Sequence, residues 1–138
     1  MSGPKIIQRV EFPCPPETVF RAWLDSQQHG AMVGGAAEIE PHEGGRFSIW
    51  DGAASGRTLK IDRGNLTITQ HWRYAYDDWP EDQPSTITLK FEPVDSQACV
   101  LRFSQSGVPS KYFGDVVDGW QQYYWRPMRR YFQKLAKK

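Results

Sequence analysis

The chain has almost no net charge, few cysteines and no long apolar run. Seventeen Lys and Arg against 16 Asp and Glu leave +1 at neutral pH. A dedicated nucleic-acid binder carries a clear basic excess, so no nucleic-acid partner is expected. No stretch approaches the ~20 apolar residues a membrane helix needs, and residues 1–12 lack the apolar core of a secretory leader. No membrane partner is expected, and the cytoplasm is the expected compartment. Cys14 and Cys99 lie outside any Cys-x-x-Cys pair and read as reduced thiols. The three histidines, His29, His42 and His71, show no metal-ligand spacing, so neither a metal nor a cofactor is expected. Gly52-Ala53-Ala54-Ser55-Gly56 places its serine fourth, where a nucleophile elbow needs it central. No catalytic residue is expected.

Leu, Ile, Val and Phe are also scarce, at 28 of 138 residues. Disorder would additionally need high net charge, which is lacking. Aromatics fill the gap: six Trp, six Tyr and seven Phe, each able to bury ~150–250 Å². A length of 138 residues suits one domain spanning 1–138, with a core built largely of rings.

Period-2 alternation recurs along the chain and predicts half-buried strands. It runs through Ile6, Val10 and Phe12; Phe47 and Ile49; Leu59 and Ile61; Leu66, Ile68, Trp72 and Tyr74; Ile87, Leu89 and Phe91; and Cys99, Leu101 and Phe103. Turn residues separate these runs, and short connections favour antiparallel neighbours. Helices bracket the meander. Pro15-Pro16-Glu17 opens the first, Ser26 is the expected cap of a second short one, and a long helix runs from about Lys111 to Leu135. At 3.6 residues per turn Phe113, Val116, Val117, Trp120, Tyr124, Met128, Tyr131 and Leu135 share its apolar face, with a kink expected at Pro127. The expectation is an α+β fold with a curved antiparallel sheet of six or seven strands wrapped around the C-terminal helix.

Five segments carry a family resemblance. Gly44-Gly45-Arg46-Phe47-Ser48-Ile49-Trp50-Asp51-Gly52, Gln70-His71-Trp72-Arg73, Trp79-Pro80-Glu81, Gly107-Val108-Pro109 and Gly119-Trp120-Gln121-Gln122-Tyr123-Tyr124 resemble, in order, motifs of the activator-of-heat-shock-protein-90-ATPase (AHSA) family. The resemblance spans Ile6 to Leu135 and implies the START-like (SRPBCC), Bet v-like helix-grip fold, with a cavity between sheet and long helix. The chain departs from the family at the end of its second helix, where many members carry tryptophan and this one reads Gln28-His29-Gly30-Ala31-Met32-Val33-Gly34.

The inward-facing Gln70, Trp72, Tyr74, Phe91, Phe103, Trp120, Tyr124 and Met128 are the expected lining of a pocket for a small apolar or aromatic ligand. A filled core is the other reading of the same rings. Gln8 and Gln70 interrupt apolar faces and offer two readings, amides that orient a ligand's carbonyl or hydroxyl and, preferred, strand-end or bulge amides satisfied by neighbouring backbone. His42 and His71 are expected in solvent, with His29 near the pocket mouth. Asp77, Asp78, Glu81 and Asp82 read as a solvated loop. Arg126, Arg129, Arg130, Lys134, Lys137 and Lys138 close the chain without an acid, whereas the part before Arg126 has 11 basic and 16 acidic residues. Trp79, Trp125 and Phe132 fall off the main apolar stripes and with Arg126 and Arg130 are the candidate partner contacts, packing on the short helices being the other reading of Trp125 and Phe132. A heat-shock protein 90-type chaperone is the partner the resemblance implies. It also implies, through some helix-grip relatives, a cyclase- or hydrolase-like alternative. A monomer and a homodimer are both open.

Overall fold

The computed structural model describes residues 5–76, 79 and 84–136. Seven strands run β1 (Ile6–Phe12), β2 (Ala37–Ile39), β3 (Arg46–Ile49), β4 (Ala54–Asp62), β5 (Thr67–Tyr74), β6 (Ser85–Asp95) and β7 (Ala98–Ser106). They form one antiparallel sheet in the order β1-β7-β6-β5-β4-β3-β2. Two short helices, α1 (Pro16–Leu24) and α2 (Ser26–Val33), follow β1, and the chain closes with α3 (Phe113–Gly119) and α4 (Arg126–Ala136). This is the helix-grip arrangement that the resemblance implies. Among the described residues no helix is long and apolar enough to cross a membrane.

The alternating faces behave as read: Ile68, Gln70 and Trp72 are buried while Thr67, Thr69, His71 and Arg73 lie half-exposed. A bulge between Thr58 and Lys60 alters one strand. The extra residue turns Thr58 inward and leaves Leu59 41% exposed. At the start of α2 the cap is Asp25, whose carboxylate accepts the Gln28 N–H at 2.8 Å. Ser26 instead pairs with the backbone of Ile39, tying α2 to β2.

The C-terminal helix departs most from expectation. Between α3 and α4, Trp120–Trp125 form a π-helical turn. Pro127 has no N–H for the Tyr123 carbonyl four residues back, so the α-helical ladder is broken there and a wider turn precedes it. A π turn inserts an extra residue and swings everything after it by about 100°. The buried face therefore reads Val116, Trp120, Tyr124, Trp125, Met128 and Phe132. Leu135, expected inward, is 41% exposed.

Candidate functional site

The rings between sheet and helix pack on one another where the sequence assigns a pocket. Trp72, Phe91, Phe103, Trp120, Tyr124 and Met128 are all buried. Trp72 stands 5.1 Å from Trp120, 5.1 Å from Phe47 and 5.7 Å from Tyr124, and Phe103 is 4.5 Å from Trp120. Three glutamines bind the indoles in place. Trp23 Nε1 donates to Gln70 Oε1 (3.0 Å), Trp120 Nε1 to Gln105 Oε1 (2.7 Å) and Trp125 Nε1 to Gln8 Oε1 (2.6 Å). The amide nitrogens donate onward, Gln70 to Thr58 Oγ1 and Gln105 to Ser85 Oγ. Gln70 and Gln8 are thus spent on the core. Replacing Gln70 with Met would strand the buried Trp23 N–H and Thr58 hydroxyl, and chemical denaturation should show a loss of about 2 kcal/mol.

His29 is buried in the same layer. Its Nδ1 is 2.7 Å from the Trp23 carbonyl oxygen, which can only accept, so Nδ1 carries the proton. Nε2 is then the acceptor for the Tyr124 hydroxyl at 2.8 Å. Burial lowers its pKa to about 4, against a smaller opposing effect of the Trp23 carbonyl. His29 is a structural imidazole, neutral at physiological pH. Burial likewise pushes the Tyr124 phenol up.

Among the clefts that stay open is one of about 440 Å³ at one end of this layer, lined by Trp50, Ala53, Tyr74, Ala75, Tyr76, Asp115, Val116, Gly119 and Tyr123. Tyr74 alone of the expected pocket residues reaches it. Its wall is built with care. Trp50 and Asp51 both adopt positive φ (53° and 56°), a conformation costly for a bulky side chain. The Trp50 N–H donates to Ala36 O at 2.7 Å and its indole to Val33 O at 3.3 Å. Gly35 clears the way for the ring, because a Cβ there would lie 2.2 Å from Trp50 Cδ1. Tyr123 projects from the π turn, 6.2 Å from Trp50 and 56% exposed. Opposite, Tyr74 and Tyr76 stand 5.9 Å apart, and Tyr76 stacks on Tyr112 at 4.3 Å. Burial holds the Tyr74 phenol above its ordinary pKa. Trp50, Tyr76 and Tyr123 escaped the sequence reading because they sit in a turn, beyond a strand end and in the helical turn that the 3.6 period cannot describe.

Trp79, Trp125 and Phe132 are buried, so Trp79 is not an exposed contact and Trp125 and Phe132 follow the packing reading. Trp79 is buried against Tyr74 (5.9 Å) and parallel to Tyr112 (6.1 Å), and its carbonyl accepts from Arg73. Trp125 stacks on Trp120 at 5.2 Å and Phe132 meets Phe12 edge-on at 5.8 Å. The π turn is what carries Trp125 and Phe132 inward. Arg126 and Arg130 are exposed on α4, beside Arg129 and Lys134. His42 is exposed, His71 half-buried. Asp77, Asp78, Glu81, Asp82, Lys137 and Lys138 lie outside the described residues, among which no cluster of three metal-ligating side chains occurs. Cys14 and Cys99 are free and buried, and the hydrogen bond between their thiols lowers the pKa of the first and raises that of the second.

A profile of the family described as Activator of Hsp90 ATPase homolog 1-like protein matches residues 13–133. A Homo sapiens protein named activator of 90 kDa heat shock protein ATPase homolog 1 is 28% identical over 128 residues, covering 93% of this chain and 37% of that protein. A Dictyostelium discoideum activator homolog is 26% identical over 112 residues, covering 81% and 28%. The chain spans roughly a third of the length of these curated relatives. Among solved structures, an HSP90 activator from Plasmodium falciparum superposes with a TM-score of 0.78 at 27% identity, covering 88% of this chain and 91% of that one. A Mesorhizobium loti protein superposes at 0.79 with 22% identity, covering 95% and 98%.

Proposed function

Because the chain belongs to the family of Activator of Hsp90 ATPase homolog 1-like proteins, with its own rings packed on one another inside, we propose that it binds a small, flat, apolar ligand in the cleft between the end of β5 and the start of the C-terminal helix. The observation that carries this reading is Trp50. A large ring is held on strained backbone by two hydrogen bonds and a glycine, on the wall of an otherwise open space. Strain of that kind persists only where the surroundings over-determine it, and it clusters at functional sites. The volume of about 440 Å³ falls within the range of small-molecule pockets.

The neutral dye N-phenyl-1-naphthylamine should bind saturably at one site with a rise in fluorescence. Gly119→Leu should abolish that rise. Position 119 has space, since a Cβ there meets only Tyr123 Cδ2 at 3.8 Å, and removing glycine from a helix favours folding. Loss of binding with an unchanged or raised Tm is the expected result. Binding that survives Gly119→Leu would remove the assignment.

Docking to a heat-shock protein 90-type chaperone is the second reading, favoured by the relatives' names and by the exposed cationic face of Arg126, Arg129, Arg130 and Lys134. Stimulation of a partner chaperone's ATPase should fall several-fold when Arg126 and Arg130 are both changed to Glu, and fall further with rising salt. No binding and no rate change with the wild-type chain would dismiss this reading.

A further inference from the structure

The charge and the ring chemistry of the cleft narrow its ligand. Four aromatic residues, Trp50, Tyr74, Tyr76 and Tyr123, supply its walls, and the one carboxylate lining it among the described residues is Asp115, exposed in the first turn of α3. Among the described residues no Lys, Arg or His lines it. Of the nearby cations, Arg73 donates to the Trp79 carbonyl and Lys111 Nζ sits 5.5 Å from the Tyr112 ring, while Arg130 and Lys134 line the adjoining cleft that shares Trp50 and Tyr123. Asp115 is in neither of the ion pairs seen among the described residues, Arg9–Glu11 and Arg102–Glu92.

An aromatic face carries negative electrostatic potential, and a cation within ~6 Å of several such faces is attracted to all of them. The two ring pairs stand on different supports. Trp50 and Tyr123 come from the β3–β4 turn and the π turn; Tyr74 and Tyr76 come from β5 and the segment after it. Behind them runs a continuous wall, Trp50–Tyr124 at 5.4 Å, Tyr124–Trp72 at 5.7 Å and Trp72–Tyr74 at 6.3 Å. A carboxylate at the edge of such a cage adds a point charge of the matching sign. Anionic ligands such as fatty acids would meet both the ring potential and Asp115 as repulsion.

Resting on the reading that this cleft is a ligand site, we infer that its ligand is an organic cation: an apolar or aromatic group bearing an ammonium, above all a quaternary one, whose charge is shared between the rings and Asp115. Quaternary ammonium suits the site because it carries no N–H donors and is weakly hydrated, so little is lost when rings replace water.

Two matched probes test this: (4-hydroxyphenyl)trimethylammonium and 4-tert-butylphenol, alike in shape and differing by one charge. Titrations at pH 6.5 and low salt would follow the Trp50 indole signal by NMR. The cation should bind about tenfold tighter than its neutral twin. Asp115→Asn should weaken the cation by about threefold and leave the neutral phenol unchanged. Equal affinities, or a preference for the phenol, would overturn the inference while leaving the apolar cleft intact. Failure of both probes to bind would overturn both, and a cation preference that persists in Gly119→Leu would place the cation outside the cleft and overturn the inference.

Discussion

Trp72→Ala is expected to lower the folding free energy by about 4 kcal/mol, the high end of what emptying a core position costs. Trp72 is fully buried and touches Trp23, Phe47, Tyr74, Trp120 and Tyr124, so its loss opens a hole that sheet, short helices and C-terminal helix all border. The conservative substitution separates packing from hydrogen bonding. The Trp72 Nε1 is buried and makes no well-aligned hydrogen bond, the Tyr74 phenol being the polar group beside it, so Trp72→Phe removes volume and little hydrogen bonding. It should cost only about 1–2 kcal/mol. Trp120→Phe removes the same volume but strands Gln105 Oε1, its acceptor at 2.7 Å, and should cost about 1–2 kcal/mol more than Trp72→Phe. Urea unfolding of the three variants reads all of this. Equal costs for the two Phe variants would mean that the glutamine–indole bonds do not hold the core.

Acid should weaken the fold through one residue well before the carboxylates titrate. Folded His29 has its pKa lowered to about 4 from 6.5 by burial. Between those values the unfolded chain takes up a proton that the folded chain refuses, so stability falls as pH falls. The contribution is fully present above pH 6.5 and lost progressively towards pH 4. At 1.36 kcal/mol per pH unit the loss is about 3 kcal/mol. Protonated Nε2 would also face Tyr124 as a second donor, in place of the acceptor the phenol now uses. His29→Gln should be less stable at pH 7 yet nearly flat down to pH 5. A wild-type stability that does not change from pH 7.5 to 5 would refute the buried neutral imidazole.

The sheet was legible because its signal is local. Alternation along β5 and β7 settles which residues face inward, and the register follows from short antiparallel connections. The family resemblance and this pattern agree on the helix grip. The C-terminal helix was legible only up to Tyr124. Beyond it a π turn, provoked by the missing Pro127 N–H, shifts the buried face by one residue, and Trp125 and Phe132 pass from apparent surface to core. Trp79 was misread for a different reason: its cover is Tyr74 and Tyr112, the latter 33 residues distant in the chain. The pocket rings were identified correctly as inward-facing, yet periodicity says only that rings face one another and not whether space remains between them. The cleft is made of what periodicity omits, a left-handed turn at Trp50, a residue past a strand at Tyr76 and a π turn at Tyr123.

The central claim is that ligands enter this cleft and leave the ring-packed core alone. The chain's six tryptophans make that directly measurable, because each gives its own indole N–H signal. Trp50 is on the cleft wall, while Trp23, Trp72, Trp79, Trp120 and Trp125 are buried. On titration with 4-tert-butylphenol the Trp50 signal should move saturably and those of Trp23, Trp120 and Trp125 should hold still. Movement of the three glutamine-bound indoles with Trp50 unmoved, or saturation with no movement at Trp50, would contradict the account.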